Sequence, residues 1–184
     1  IPMFTDHFRQ LPGDKDFILS QYDIISDKST SKFAEEEDEI MLVVSDKYSL
    51  TDLTLAQFGY FSQDEFLNIA YKAIKDDPDA QDKYDENLWK DKFTYSELLG
   101  KTFTWYPNDT IYQSTENMPP IPGSSINKEN VPFTYRSTVD NSFTGGKKLK
   151  ITAILRPKEG MAYGSMQSGF YYTSKFTDAV IADG

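Results

Sequence analysis

The sequence predicts an α+β fold. Two short β-branched runs, IMLVVS at 40–45 and LKITAIL at 149–155, read as buried strands. Between them stand helix signals with their own caps and stops, the clearest at 61–78. The 184 residues suffice for one substantial core or for two small lobes sharing an interface. With 39% apolar and 15% aromatic residues the chain has ample side-chain volume to bury, and one compact unit, with room for an inserted lobe, is expected.

The opening FTDHFRQLPGDKDFILSQYDIIS carries a Pro12-Gly13 turn signal, and its apolar positions Phe17, Ile18, Leu19, Tyr22, Ile24 and Ile25 fit helix and strand alike. STSKFAEEEDE reads as a solvated acidic loop that feeds the strand Ile40–Val44, expected to be central. In LTDLTLAQFG, Thr51 caps a short helix, Leu53, Ala56 and Phe58 point inward, and Gly59 ends it. In FSQDEFLNIAYKAIKDDP, Ser62 and Glu65 form a capping box and Phe61 with Phe66 a hydrophobic staple. Phe66, Ile69, Ala70, Ala73 and Ile74 make one helical stripe, with Phe66, Ile69 and Ile74 expected in the core, before Pro78 limits continuation.

YSELLG is a further short helix, with Gly100 as its left-handed terminator, leading into the strand KTFTWYP. There Phe103 and Trp105 face one way, and Thr102, Thr104 and Tyr106 the other. Asn108 to Asn130, which includes MPPIPGSS, reads as a long irregular excursion. VPFTYRSTV is a strand, FTGGKK the hairpin turn after it, and LKITAIL its partner, with Leu149, Ile151, Ala153 and Leu155 on one face and Pro157 as the stop. A last helix signal spans Ser174 to Ile181.

Charge and composition exclude several functions. A net charge of −10 repels phosphate backbones and anionic headgroups, so nucleic acid is not an expected partner. Without cysteine there are no disulfides, thiolate metal sites or cysteine nucleophiles, as suits a bacterial extracellular protein that dispenses with bridges. His7 is the single histidine, which rules out a two-histidine zinc site within this chain and reads as an isolated turn residue. The run Glu35 to Glu39 has oxygens suited to calcium, but adjacent loop acids read first as a solvated surface.

Asp77, Asp79 and Asp82 lack the turn glycine and closing glutamate of a calcium loop. YGSMQSG lacks nucleophile-elbow spacing, and no glycine loop is followed by the Lys-Ser or Lys-Thr of a phosphate cradle. No catalytic, cofactor-binding or metal-ligating residue is therefore assigned, and neither zinc nor nucleotide binding is expected. The aromatic richness suits a sugar or peptide groove, but core packing plus a strand-rich surface explains it at least as well.

Three segments taken in order resemble the extracytoplasmic domain of Gram-positive ABC transporter permeases of the MacB-like and FtsX-like family. They are LPGDKDFILSQYDIIS through DEIMLVVS to LTDLTLAQFG; SELLGKTFTW; and LKITAILRPKEG followed by GFYYTSKFTDAVI. They cover about half of the chain, at its two ends and its middle.

The resemblance implies an α+β domain of the MacB-like periplasmic-core type, with a second lobe at approximately 60–140 inserted into the first. It further implies a non-enzymatic domain on the extracellular face of the cell membrane, anchored by flanking helices. Such a domain would couple the work of an ABC ATPase subunit to a peptide or antibiotic-like cargo, or to an extracellular adaptor protein. The start at Ile1 and the end at Gly184 then read as the limits of an excised segment. Phe4 and Ile181 should have Cα atoms within roughly 25 Å, since packed membrane helices lie about 8–10 Å apart. A secreted carbohydrate-active or metal-dependent enzyme and a free-standing sensor or adhesin module are the alternatives.

Overall fold

The computed structural model describes residues 7–27, 29–78, 81–116, 118, 131–135, 146–161 and 164–183. Its centre is a mixed sheet in the order β1 (Phe8–Gln10), β8 (Gly169–Tyr172), β3 (Glu39–Val43), β7 (Lys147–Pro157) and β2 (Tyr22–Ile24), with β4 (Thr102–Trp105) also on β7. The chain is thus α+β. β3 lies at the centre beside β7, to which it runs parallel, and every residue of β3 is buried because the sheet is covered on both faces.

Alternation along β3 sorts the core into two layers. Ile40, Leu42 and Val44 point to one face, where they meet Leu55 of α2 (Asp52–Gln57), Leu98 of α4 (Tyr95–Leu99) and Phe176 of α6 (Ser174–Ala182). Met41 and Val43 point to the other, against Ile18 of α1 (Lys15–Gln21), Tyr22, Phe33 and Met166. The ambiguous opening segment resolves into β1, α1 and β2, with Asp14 accepting from the Phe17 N–H as the cap that starts α1. Tyr22 Oη donates to the Met166 carbonyl and accepts from its N–H, at 2.9 and 2.8 Å. Gly164 is required beside it, because a Cβ there would lie 2.0 Å from that oxygen.

β7 departs from the single face expected for Leu149, Ile151, Ala153 and Leu155. The register with β3 passes from Ile40–Ile151 to Met41–Ala153, so Thr152 is an extra residue and side chains beyond it change sides. Leu149 and Ile151 share a layer with Ile154, whereas Ala153 and Leu155 join the opposite one. Local polar groups hold the bulge: the Thr152 carbonyl accepts from Lys32 N–H, and Ser26 Oγ accepts from Ile154 N–H.

The caps expected at Thr51 and Ser62 are present, the second as a reciprocal capping box with Glu65, and Thr94, not among the expected caps, closes another with Glu97. Gly59 ends α2 at φ +68°, but Gly100 has φ −71° and is not left-handed. Glycine is needed at 100 for a different reason: a Cβ would stand 2.9 Å from the Ser96 carbonyl oxygen. Phe103 and Trp105 face inward from β4 as expected, and Thr102 and Thr104 are exposed.

Part of the expected irregular excursion is regular. Asn108–Ile111 forms a helical turn, α5, and β5 (Tyr112–Ser114) pairs with β6 (Phe133–Tyr135). β6 therefore has its pairing with β5, while the described neighbours of β7 are β2, β3 and β4. The rest of the MPPIPGSS stretch beyond Met118, and residues 143–145 of the proposed hairpin turn, lie outside the described residues.

The largest departure is α3 (Gln63–Ala73). It caps as expected, yet Phe66, Leu67 and Ile74 are 38%, 41% and 49% exposed while Asn68 is 1% exposed. Phe61 is buried with its ring edge-on to Phe93, but Phe66 is only partly covered, and only Ile69 of the expected buried set packs against the core. The polar side of the helix is what is held. Asn68 donates to the Asp85 carbonyl and accepts from the Asp85 N–H, both at 2.8 Å, and Lys72 Nζ lies over the Trp89 ring.

Candidate functional site

The strongest local irregularity lies where β3 leaves the sheet. Tyr48 has φ +58°, a left-handed conformation that costs a bulky residue on the order of 1 kcal/mol. Ser45 imposes it. Its N–H donates to the Ser49 carbonyl, its Oγ accepts from the N–H groups of Lys47 and Ser49, and its carbonyl accepts from Tyr48 N–H. The result presents the Tyr48 ring, 57% exposed, over Arg156 on β7, whose guanidinium carbon lies 4.5 Å from the ring centroid. Arg156 Nη1 donates to Tyr48 Oη, and its Nε is buried with no hydrogen-bond partner among the described residues.

Below Tyr48 the sheet and α4 leave an open cleft of about 460 Å³, lined by Ile25, Val44, Ile154, Phe93, Tyr95 and Leu98 among others. A neighbouring hollow of about 220 Å³ shares Val44, Tyr48, Phe93 and Leu98 and adds Lys90 and Asp91. The walls of the larger cleft are mainly apolar and aromatic, an arrangement that receives an apolar side chain better than a polar reactant. The smaller hollow is also lined by Asp52 and Lys92 and is more polar. Tyr60 stands behind Leu98, where burial pushes its phenol pKa up and its Oη donates to the Leu98 carbonyl.

A larger groove of about 660 Å³ runs between the starts of α1 and α6, but its charges are paired with one another. Lys15 meets Glu35 and Lys175 meets Glu36, each at 3.0 Å. The pairing extends through the whole acidic run, with Lys147 on Glu37, Lys150 on Asp38 and Lys32 on Glu39. Glu39 is buried rather than solvated. Burial opposes its charge, but Lys32 and the N–H groups of Glu35 and Glu36 outweigh that and hold its carboxyl at about 2. The run is therefore a structural seam that ties α1, α6 and β7 to the loop before β3.

His7 precedes β1 and is half-buried, with Nδ1 lacking a partner among the described residues. Asp77 and Asp82 are exposed, and Asp79 lies outside the described residues. Among the described residues no group of three or more His, Asp or Glu is placed to hold a metal ion. Sequence reasoning missed Tyr48 and Arg156, since a non-glycine left-handed residue leaves no periodic signal. The SDKYS loop, with a serine at each end, is the one local hint.

Comparison with protein-family models, with curated proteins and with solved structures returns no match for this chain. Among the described residues no helix is long and apolar enough to cross a membrane.

Proposed function

We propose that this chain is the extracellular domain of a MacB-like or FtsX-like ABC transporter permease, without chemistry of its own. It couples ATP-driven motion of flanking transmembrane helices to a peptide or antibiotic-like cargo or to a partner protein. One observation carries the reading: the first and last described elements lie side by side. β1 pairs in parallel with β8, whose chain passes through Thr173 into α6. Thr177 Oγ1 is 2.7 Å from Gln10 Oε1, and the Phe8 and Phe176 rings are 6.1 Å apart. A domain received from one membrane helix and returned to the next needs its two ends together, because packed helices lie only about 8–10 Å apart. Phe4 itself lies outside the described residues.

In this reading the apolar cleft under Tyr48 is where cargo is handled, and the ATPase subunit acts on the domain only through the membrane helices. The test is the location of the native protein. An antibody to this domain should find it in membranes resistant to alkaline carbonate, and protease added to protoplasts should remove the epitope. Recovery from the culture medium without a membrane anchor would overturn the permease and leave a secreted binding module.

A further inference from the structure

The larger cleft beneath Tyr48 has apolar walls, but it ends at a cation. Its lining, which includes Ile25, Val44, Tyr95, Leu98 and Ile154, holds no charged side chain. Arg156 stands at the Tyr48 end, two residues beyond Ile154 on β7, so alternation puts both side chains on one face of the sheet. Lys15, Lys32, Lys90, Lys147, Lys150 and Lys175 each hold a carboxylate. Arg156 holds none among the described residues, although the exposed Asp23 stands across from it in the β2–β7 register.

The acceptor that Arg156 does have is Tyr48. Its Oη takes one N–H, from Nη1, while Nε is shut off from solvent without an acceptor among the described residues. A guanidinium presents its donors as a planar fork, and a single phenol oxygen cannot fill the pair that a carboxylate fills with two. The residue that supplies this oxygen is itself held at φ +58° by the Ser45 hydrogen bonds. Tyr48 is therefore a strained and incomplete acceptor at the mouth of an apolar cleft.

We infer that the cleft binds the C-terminal end of a peptide whose last side chain is apolar. That side chain enters the cleft, and the terminal carboxylate replaces Tyr48 Oη on Arg156 and satisfies Nε as well. The volume of about 460 Å³ is within the range of ligand sites. The adjoining hollow shares Val44, Tyr48, Phe93 and Leu98 and is lined by Asp52, Asp91, Lys90 and Lys92, which gives a polar side chain of the same peptide its place. A fatty acid has one apolar tail and no group for that hollow, so the peptide is the better occupant. A net charge of −10 opposes an anion at long range, so Arg156 must carry the recognition of the carboxylate. This names the cargo chemistry of the cleft and rests on the proposed function only for the peptide being met outside the cell.

The isotope-labelled chain is titrated with acetyl-Gly-Ser-Leu bearing a free carboxylate, with its C-terminal amide, with acetyl-Gly-Ser-Ser and with dodecanoate. The first should shift amide resonances at 44–49 and 93–98 and bind about tenfold more tightly than its amide or the serine-ended peptide. Arg156→Gln should bring the acid down to the level of the amide. Tyr48→Phe keeps the ring without the competing hydroxyl, and should bind the acid at least as tightly as the unaltered chain. Equal binding of acid and amide, no shift at millimolar peptide, shifts that spare both segments, or an acid preference that survives Arg156→Gln would each overturn the inference. So would dodecanoate binding more tightly than the peptide, or a tenfold loss in Tyr48→Phe. If Arg156→Gln fails to fold, the acid and amide on the unaltered chain still decide. Membrane fractionation is independent of these titrations, so failure of the peptide site and failure of the permease reading are distinguishable.

Discussion

β3 and α3 use amphipathic chemistry in opposite ways. In β3, Ile40, Leu42 and Val44 and, on the other side, Met41 and Val43 all have apolar layers to enter, because elements cover both faces of the sheet. In α3 the apolar stripe faces solvent and the buried position is Asn68. A sheet strand has its surroundings imposed by hydrogen-bonded neighbours on both edges, whereas a surface helix can be rolled about its axis by a few side-chain contacts. Here two hydrogen bonds to Asp85 and a cation over Trp89 decide that roll.

The comparison is broken most severely in the sheet. Leu42→Ala should cost about 2–5 kcal/mol, since the side chain is fully buried and the covered sheet cannot collapse onto the void. Denaturant unfolding checks it, and a cost near that of a surface change would mean that the two layers are loosely packed. Asn68→Ala should cost about 1–3 kcal/mol by leaving the Asp85 N–H and carbonyl without their partner. If the outward stripe depends on this clamp, hydrogen exchange in 81–89 should accelerate while β3 and β7 keep their protection.

The acidic seam offers a pH test of the sheet side. The Glu39 carboxyl is depressed from 4.5 to about 2, so its contribution is complete above about 4.5 and is lost as pH falls toward 2. The loss should be about 2 kcal/mol, reduced from the full shift because Lys32 is exposed to solvent, and Glu39→Gln should flatten stability over that window. An unchanged pH profile in the variant would remove Glu39 from the seam. The smallest effect belongs to α3: Phe66→Ser should cost only about 1 kcal/mol, because the ring is 38% exposed and only partly covered. A loss of several kcal/mol would return Phe66 to the core and erase the contrast.

Much of the fold was legible because it is encoded within a few residues. Ser62 with Glu65 closes its capping box from positions three apart, and Gly59 takes the left-handed turn that ends α2. The β-branched run at 40–44 announced a buried central strand. The candidate site was not legible in the same way. Tyr48 is shaped by Ser45 next door, but its position over Arg156 joins residues 108 apart in sequence, and the cleft needs α4 and the ends of β2, β3 and β7 together. Thr152 is also silent in sequence: its bulge appears only once β3 sets the register that β7 must break.

What the sequence determined by itself was the strands β3, β4 and β7, the helices α2, α3, α4 and α6, the caps at Thr51 and Ser62, the stop at Gly59, and the charge that repels phosphate surfaces. These depend on φ/ψ preference, hydrogen bonds over three or four residues, and composition. Tertiary structure alone decided which side of α3 is buried, where Leu149 through Leu155 changes face, and that the acidic run is stitched to lysines from α1, β7, α6 and its own loop. The physical reason is the same in each case. Periodicity states that two faces differ, but the free energy of burying one of them depends on the partner groups waiting there, and those come from distant parts of the chain.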